Sequence, residues 1–323
     1  MDKISKYLLK EFFPLFFTLF SIIALIVSLI FIISISNITA GLQITFIELL
    51  KLYLLSLPQI VFIAIPLAFF ISASSLYARL SDTQELIALF SLGFKPLKLL
   101  KVIIFLALGV SLINLFILFV SIPYSKVAFK NLKNEKKQEA KFNFQSSQIS
   151  QQFGEWSIFA TKSKQKSYSD LYLYNSKTDR FIIAKNANLK NDKGYLQFTL
   201  NNGNIYDFNS SFYINFKEMQ INQKIPKIKI SIFNFSNYFN YNKKLFTKYL
   251  PFALIPLSLL FFIPLISFFH PRLNKKHTLG YSILILAIYI VATFANKSFF
   301  IALIIPLLFF IIGGILYKWK VKF

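Results

Sequence analysis

The chain contains no cysteine. That excludes a disulfide framework, a thiolate metal site and a cysteine nucleophile. Histidine is nearly as scarce. His270 and His277 are the only two; they sit seven residues apart at expected helix ends, with no acid near them, so a His-Glu-x-x-His metal site is absent. No Gly-x-x-x-x-Gly-Lys phosphate loop and no Gly-x-Ser-x-Gly elbow occurs. No catalytic residue, metal or cofactor is therefore expected, and any ATP hydrolysis belongs to a partner chain. Acids are few as well, 13 against 36 Lys and Arg, for a net charge of +23. The lysines are scattered, and Phe, Ile, Lys and Asn are abundant together, as AT-rich coding would produce. Nucleic acid is not an expected partner. An anionic membrane surface or ligand suits the charge better.

Of the 323 residues, 55% are hydrophobic. They gather into uninterrupted runs at about 13–36, 52–78, 99–122, 250–269, 278–295 and 298–317. Each has roughly the 20 residues a helix needs to cross about 30 Å of hydrocarbon. We read six transmembrane helices. The first is too long for a signal-peptide core and is expected to be retained. No Asp, Glu, Lys, Arg or His lies near the middle of any run. Ion-coupled transport generally needs such groups, or broken helices, at midplane. Asn114 is the most polar midplane residue and reads as interhelical glue. Pro58, Pro66, Pro256 and Pro264 are candidate kinks.

Short-loop lysines set the orientation. Lys3, Lys6 and Lys10 precede the first run, Arg79, Lys95, Lys98 and Lys101 follow the second, and Arg272, Lys275 and Lys276 separate the fourth from the fifth. Lys318, Lys320 and Lys322 close the chain. The positive-inside rule puts both termini in the cytoplasm. Residues 123–248 then lie outside, in the periplasm of a bacterial inner membrane. The expected organisation is 1–122 with helices one to three, 123–248 as an inserted domain with a helical lead-in, and 249–323 with helices four to six.

Within the insert the period is two. Leu196, Phe198 and Leu200 share one face, as do Phe212, Ile214 and Phe216. Turn signals fall at Asp192-Lys193-Gly194, Asn201-Asn202-Gly203 and Asn209-Ser210. Short alternating strands argue for a sandwich or jelly roll. Their aromatic faces form either an ordinary core or a slot for an apolar ligand or partner strand. The fold class is an α+β membrane protein: six transmembrane helices with a periplasmic β-jelly-roll-like domain between helices three and four.

Between the second and third runs stands "SDTQELIALFSLGFKPLKLL", residues 81–100. Ser81 or Asp82 can cap a helix, with Gln84 or Glu85 completing the box. Gly93 suits its end and Pro96 prevents resumption. The predicted helix covers about 82–92 and is apolar almost all round. It either lies on the inner leaflet or docks into a groove of a cytoplasmic ATPase.

"LYARLSDTQELIALFSLGFKPLKLL" resembles the coupling-helix region of the LptF/LptG permease family. "AKNANLKNDKGYLQFTLNNGNIYDF" resembles strands of that family's external domain, and "ISKYLLKEFF" its opening. The resemblance spans nearly the whole chain. It implies a half-permease of an ABC transporter. Its partners would be a sister subunit, the ATPase dimer LptB and the single-span periplasmic protein LptC. Together they extract lipopolysaccharide from the inner membrane and pass it to a periplasmic bridge. Glu85 and Gly93 carry over directly. Asp82, Leu86, Leu89 and Phe90 complete the expected ATPase-coupling set. Some members carry basic residues near the outer end of helix one; here Phe12 to Leu50 has no Lys or Arg, which favours the LptF-type half. Lys51, Lys126, Lys130 and Lys297 are the candidates for the lipid head group, each otherwise a solvated or snorkelling lysine. The rival readings are a mechanotransmitting permease that moves no lipid and a membrane-anchored periplasmic scaffold.

Overall fold

The computed structural model describes residues 3–40, 42, 44–94, 96–141, 151–153, 155–164, 167–192, 195–210, 212–224, 235–269, 277–295 and 298–320. It divides into two compact units. One comprises 1–36, 50–127 and 230–323, the other 37–49 and 128–229.

The first unit is helical. Helix α1 runs Lys3–Thr39 and α2 runs Phe46–Asp82, 37 residues each. At 1.5 Å per residue each is roughly 55 Å long, well beyond the hydrocarbon thickness. Pro58 and Pro66 lie inside α2 without ending it. Phe62, Phe69, Phe70, Leu76 and Tyr77 of α2 are fully buried and form the centre of the unit. Helix α1 buries Leu8 and Phe12 but exposes Leu25, Ile26, Leu29 and Ile30. Apolar side chains facing outward over several turns fit a hydrocarbon solvent, because water would penalise each of them.

After the short helix α3, Glu85–Ser91, comes α4, Pro96–Phe116. A π-helical turn at Ile117–Ser121 joins it to α5, Ile122–Lys141. A π turn misaligns the carbonyl ladder, and the Tyr238 hydroxyl donates to the Phe119 carbonyl there. Asn114 is fully buried, but its amide meets no hydrogen-bond partner among the described residues.

Among the described residues four helices are long and apolar enough to cross a membrane: α1, α2, the rod at Leu99–Lys137, and α10 at Phe299–Lys320. Helix α9, Thr278–Phe294, is apolar but only 17 residues long. The run at 250–269 corrects the expectation of one continuous fourth helix. It is divided among the end of α6 (Phe235–Ala253), α7 (Ile255–Ser258) and α8 (Phe262–Ser267). Pro251, Pro256 and Pro264 remove three N–H donors from this stretch, and each ring crowds the preceding turn.

The second unit holds β1 (Gln151–Phe153), β2 (Trp156–Lys164), β3 (Ser167–Asn175), β4 (Arg180–Asp192), β5 (Tyr195–Asp207) and β6 (Phe212–Lys224). They form one antiparallel sheet in sequence order. The described strands are thus a meander, and no crossover of a jelly roll occurs among them. Ile158, Leu171, Leu173, Ile182, Ala184, Ala187, Phe198 and Leu200 make its core.

A break in pairing crosses the sheet at one level. Ladder partners resume on either side of Thr161 and Asp170, Asp170 and Lys185, Lys185 and Asn202, and Asn202 and Lys217. Asp170 and Asn202 take positive φ there. The alternation changes phase across the row: β4 buries Ile182 and Ala184 before it and Ala187 after it. Asn201-Asn202-Gly203 is therefore a bend inside β5, not the turn expected from sequence. Gly203 is required at that level, since an added Cβ would overlap the Ile183 carbonyl oxygen and the Phe216 ring. Phe212 and Ile214 remain largely exposed, while Phe216 packs on the core.

Also in this unit, Lys136 of α5 pairs with Glu48 at 2.6 Å. The Thr45 N–H donates to Glu48 at 3.0 Å, half of a capping box at the start of α2.

Candidate functional site

Helix α2 continues to Asp82, past the positions expected to cap a new helix. Ser81 is buried inside it and donates to the Ser267 carbonyl at 2.7 Å. This corrects the capping reading: the Ser81 hydroxyl closes a tertiary contact. Thr83 and Gln84 separate α2 from α3; Gln84 has φ 64, and its side chain makes no cap bond. Helix α3 is consequently seven residues long, Glu85–Ser91, shorter than the 82–92 expected.

Its end is a Schellman motif. Gly93 has φ +84. Its N–H reaches the Phe90 carbonyl at 3.0 Å, and the Phe94 N–H reaches that of Leu89 at 3.1 Å. Both orphan carbonyls are satisfied by a conformation glycine adopts without Cβ strain.

The Glu85 carboxylate is held on both oxygens. The Tyr7 hydroxyl donates to Oε2 at 2.8 Å. The Thr83 hydroxyl lies 3.0 Å from Oε1 and 3.1 Å from the Arg79 carbonyl, donating to one at a time. One turn along α1, Glu11 forms an ion pair with Arg79. Two side chains of α1 thus grip the α2–α3 junction. Neither Tyr7 nor Glu11 was singled out from sequence, because nothing local marks a contact spanning 78 residues.

The apolar body of α3 divides into two faces. Leu86 is buried, and Leu89 and Phe90 are half-buried against the core. The Phe90 ring meets Phe268 edge-on at 6.0 Å, and Phe268 meets Tyr77 at 5.4 Å. Tyr77 donates to the Leu99 carbonyl at 2.7 Å, linking α2 to α4 behind the helix. On the other face Asp82, Ile87, Ala88, Ser91, Leu92 and Gly93 are exposed, Leu92 at 72%. The fold thus fixes α3 from one side and leaves a short apolar ridge, Ile87 to Leu92, uncovered. Of the expected coupling residues, Asp82 and Gly93 lie on the open side, Glu85 at the margin, and Leu86, Leu89 and Phe90 toward the chain's own core.

The expected lipid-head lysines come from two helices. Lys51 is exposed on α2, and Lys126 and Lys130 are exposed one turn apart on α5. Lys126 Nζ stands 4.9 Å from the Tyr249 ring centroid. Lys297 lies outside the described residues. Three lysines of α6 passed over in the sequence, Lys243, Lys244 and Lys248, line a cleft of about 760 Å³ with the end of α9 and the start of α10. A run of lysines spaced i, i+1, i+5 was the available signal. It read as general basicity until the partner helices were in place. Among the described residues no group of three His, Cys, Asp or Glu could hold a metal ion.

A family model described as "Lipopolysaccharide export system permease LptF/LptG" matches residues 6–319. The match covers almost the entire chain and does not separate one half of the pair from the other. No curated protein matches the chain significantly.

Proposed function

The chain belongs to the LptF/LptG family of lipopolysaccharide export permeases, and from that premise we propose that it is the transmembrane subunit of an ABC transporter powered by a separate ATPase. It is a non-catalytic component of lipopolysaccharide transport, with several apolar helices that fit a multi-pass inner-membrane protein. In the proposed arrangement the termini and α3 face the cytoplasm and the sheet faces the periplasm. The sister permease lies alongside, an LptB dimer beneath, and LptC beside the sheet. Lipopolysaccharide leaves the outer leaflet of the inner membrane through the apolar wall of the paired helices and passes to the periplasmic bridge. Lys51, Lys126, Lys130 and Lys297 are proposed contacts for its anionic head.

The observation that carries this reading is the two-sided environment of α3. A helix this short is unstable alone. Here Leu86, Leu89 and Phe90 fasten it to the core, and Tyr7 fastens its acid. Such anchoring makes the exposed Ile87–Leu92 ridge a rigid lever, which is what a chain without its own motor needs in order to receive motion from one.

The test is Glu85→Lys in the assembled complex. It reverses charge where Tyr7 and Thr83 now donate. The expected outcome is loss of ATPase recruitment, or of coupling between hydrolysis and lipopolysaccharide crosslinking, with membrane insertion intact. Normal transport by this variant would leave α3 an interfacial helix without a coupling role.

A further inference from the structure

Helix α6 presents Lys243, Lys244 and Lys248 on one wall of the cleft, and Phe294, Phe299 and Phe300 come from α9 and α10. Lys248 Nζ lies 5.0 Å from the Phe294 ring centroid and 5.7 Å from that of Tyr249. Lys126 of α5 approaches the same Tyr249 ring at 4.9 Å. Tyr249 is itself fixed by Gln59, whose Nε2 donates to its hydroxyl at 2.9 Å. Two ammonium groups therefore share one aromatic ring, with two more lysines at most five residues away on α6. None of the four meets a carboxylate among the described residues.

Like charges gathered beside apolar walls repel, and stacked lysines one helical turn apart destabilise their helix. Contact with aromatic faces offsets only part of that cost. A polyanion would remove the rest. Below the lysines the surface is apolar: Phe294, Val291, Ile288 and Leu284 are exposed along one stripe of α9. A free anion would use the lysines and leave this stripe idle. An amphiphile with an anionic head uses both.

We propose that the cleft between α6, α9 and α10 binds the phosphate-bearing head group of a lipid whose acyl chain lies along the α9 stripe. The lysines hold the phosphate, and the phenylalanines hold the first methylenes. The ligand chemistry is common to the exported glycolipid and to anionic phospholipids of the bilayer. The inference concerns binding alone and stands whether or not the export reading holds.

The test uses the full chain in phosphatidylcholine nanodiscs doped with one of three probes carrying the same photoreactive acyl chain: phosphatidylglycerol, bis-phosphorylated lipid A, or diacylglycerol. Crosslinks are mapped by mass spectrometry. The expected result is crosslinking of both phosphate-bearing probes to residues 284–300, with diacylglycerol much weaker. Lys244→Gln with Lys248→Gln should weaken it roughly 10- to 30-fold, since each basic group contributes about a factor of five near an anionic head. The double Lys→Arg variant keeps the charge, controls for folding and should retain it. Preference for lipid A would assign the site to the cargo, and preference for phosphatidylglycerol to the bilayer; either supports the proposal. Equal labelling by diacylglycerol, or labelling indifferent to the Gln substitutions, would overturn it. Abolition by millimolar inorganic phosphate would reduce the cleft to a free-anion site and overturn the lipid assignment. In the assembled complex, loss of crosslinking because the sister subunit covers the stripe would overturn it as well.

Discussion

The Tyr7 hydroxyl donates a 2.8 Å hydrogen bond to Glu85, joining the first turns of α1 to the first residue of α3. The bond makes the orientation of a seven-residue helix depend on the N-terminal segment. Tyr7→Phe removes the donor and keeps the ring. At an exposed site the loss is worth about 0.5–1 kcal/mol. Amides of residues 86–92 should exchange roughly two- to fivefold faster, with those of α2 unchanged. Unaltered exchange across α3 would mean that the bond does not position the helix.

Glycine plays two separate roles in the chain, and alanine should expose the difference. At Gly93 an added Cβ meets nothing within 4 Å, so only the positive φ is strained. The expected cost is about 1 kcal/mol, confined to fraying at the end of α3. At Gly203 the Cβ would meet backbone and the Phe216 ring. Gly203→Ala should therefore open the β4–β5–β6 pairing and raise protease sensitivity of the sheet, whereas Gly93→Ala should not.

Arg180 Nε donates to Asp207 at 2.7 Å, and the N–H groups of Asn209 and Ser210 donate to its other oxygen at 3.0 and 3.1 Å. The Arg180 hydrogen bond first, and Ser210 next, bring this carboxyl down from 3.8 to about 2. A folded-state pKa below the unfolded one means that the stabilisation is complete above about pH 4 and is lost as pH falls toward 2. In a Trp319→Phe chain, fluorescence of Trp156 should report loosening of the sheet in that window. Asp207→Asn should flatten the acid dependence and lower stability at neutral pH. An unchanged acid transition in that variant would remove Asp207 from the account.

The absence of native cysteine permits single-site labelling. Lys185 on the sheet and Leu92 beyond α3 are both exposed. In intact cells Lys185→Cys should react with an impermeant maleimide once the outer membrane is opened. Leu92→Cys should react only after the inner membrane is permeabilised. The reverse pattern would invert the proposed topology and move α3 away from any cytoplasmic ATPase.

Much of the architecture was legible in local pattern. Charge-free runs marked the long apolar helices, since burying a charge in hydrocarbon is costly at any point along a span. Period-two stretches marked the strands, and Gly93 marked a left-handed stop, because backbone conformation and one-sided burial repeat at short spacing. Contacts between distant segments decided the rest. Ser81 looked like a cap and became a buried link to Ser267. Glu85 looked like the acid of a capping box, and its carboxylate was taken by Tyr7 of α1. Leu86, Leu89 and Phe90 were expected among the residues that meet the ATPase, and packing turned them toward the chain's own core and left Ile87 and Leu92, not singled out in the sequence, on the open face of α3. Asn202 looked like a turn, and the pairing of β4, β5 and β6 made it a bend shared across the sheet. Lys243, Lys244 and Lys248 became a cleft only when the ends of α9 and α10 stood beside them. Periodicity is set by the geometry of one element. Which neighbour satisfies a hydroxyl, a carboxylate or a row of ammonium groups is set by chain segments far apart in sequence, and only the folded arrangement brings them together.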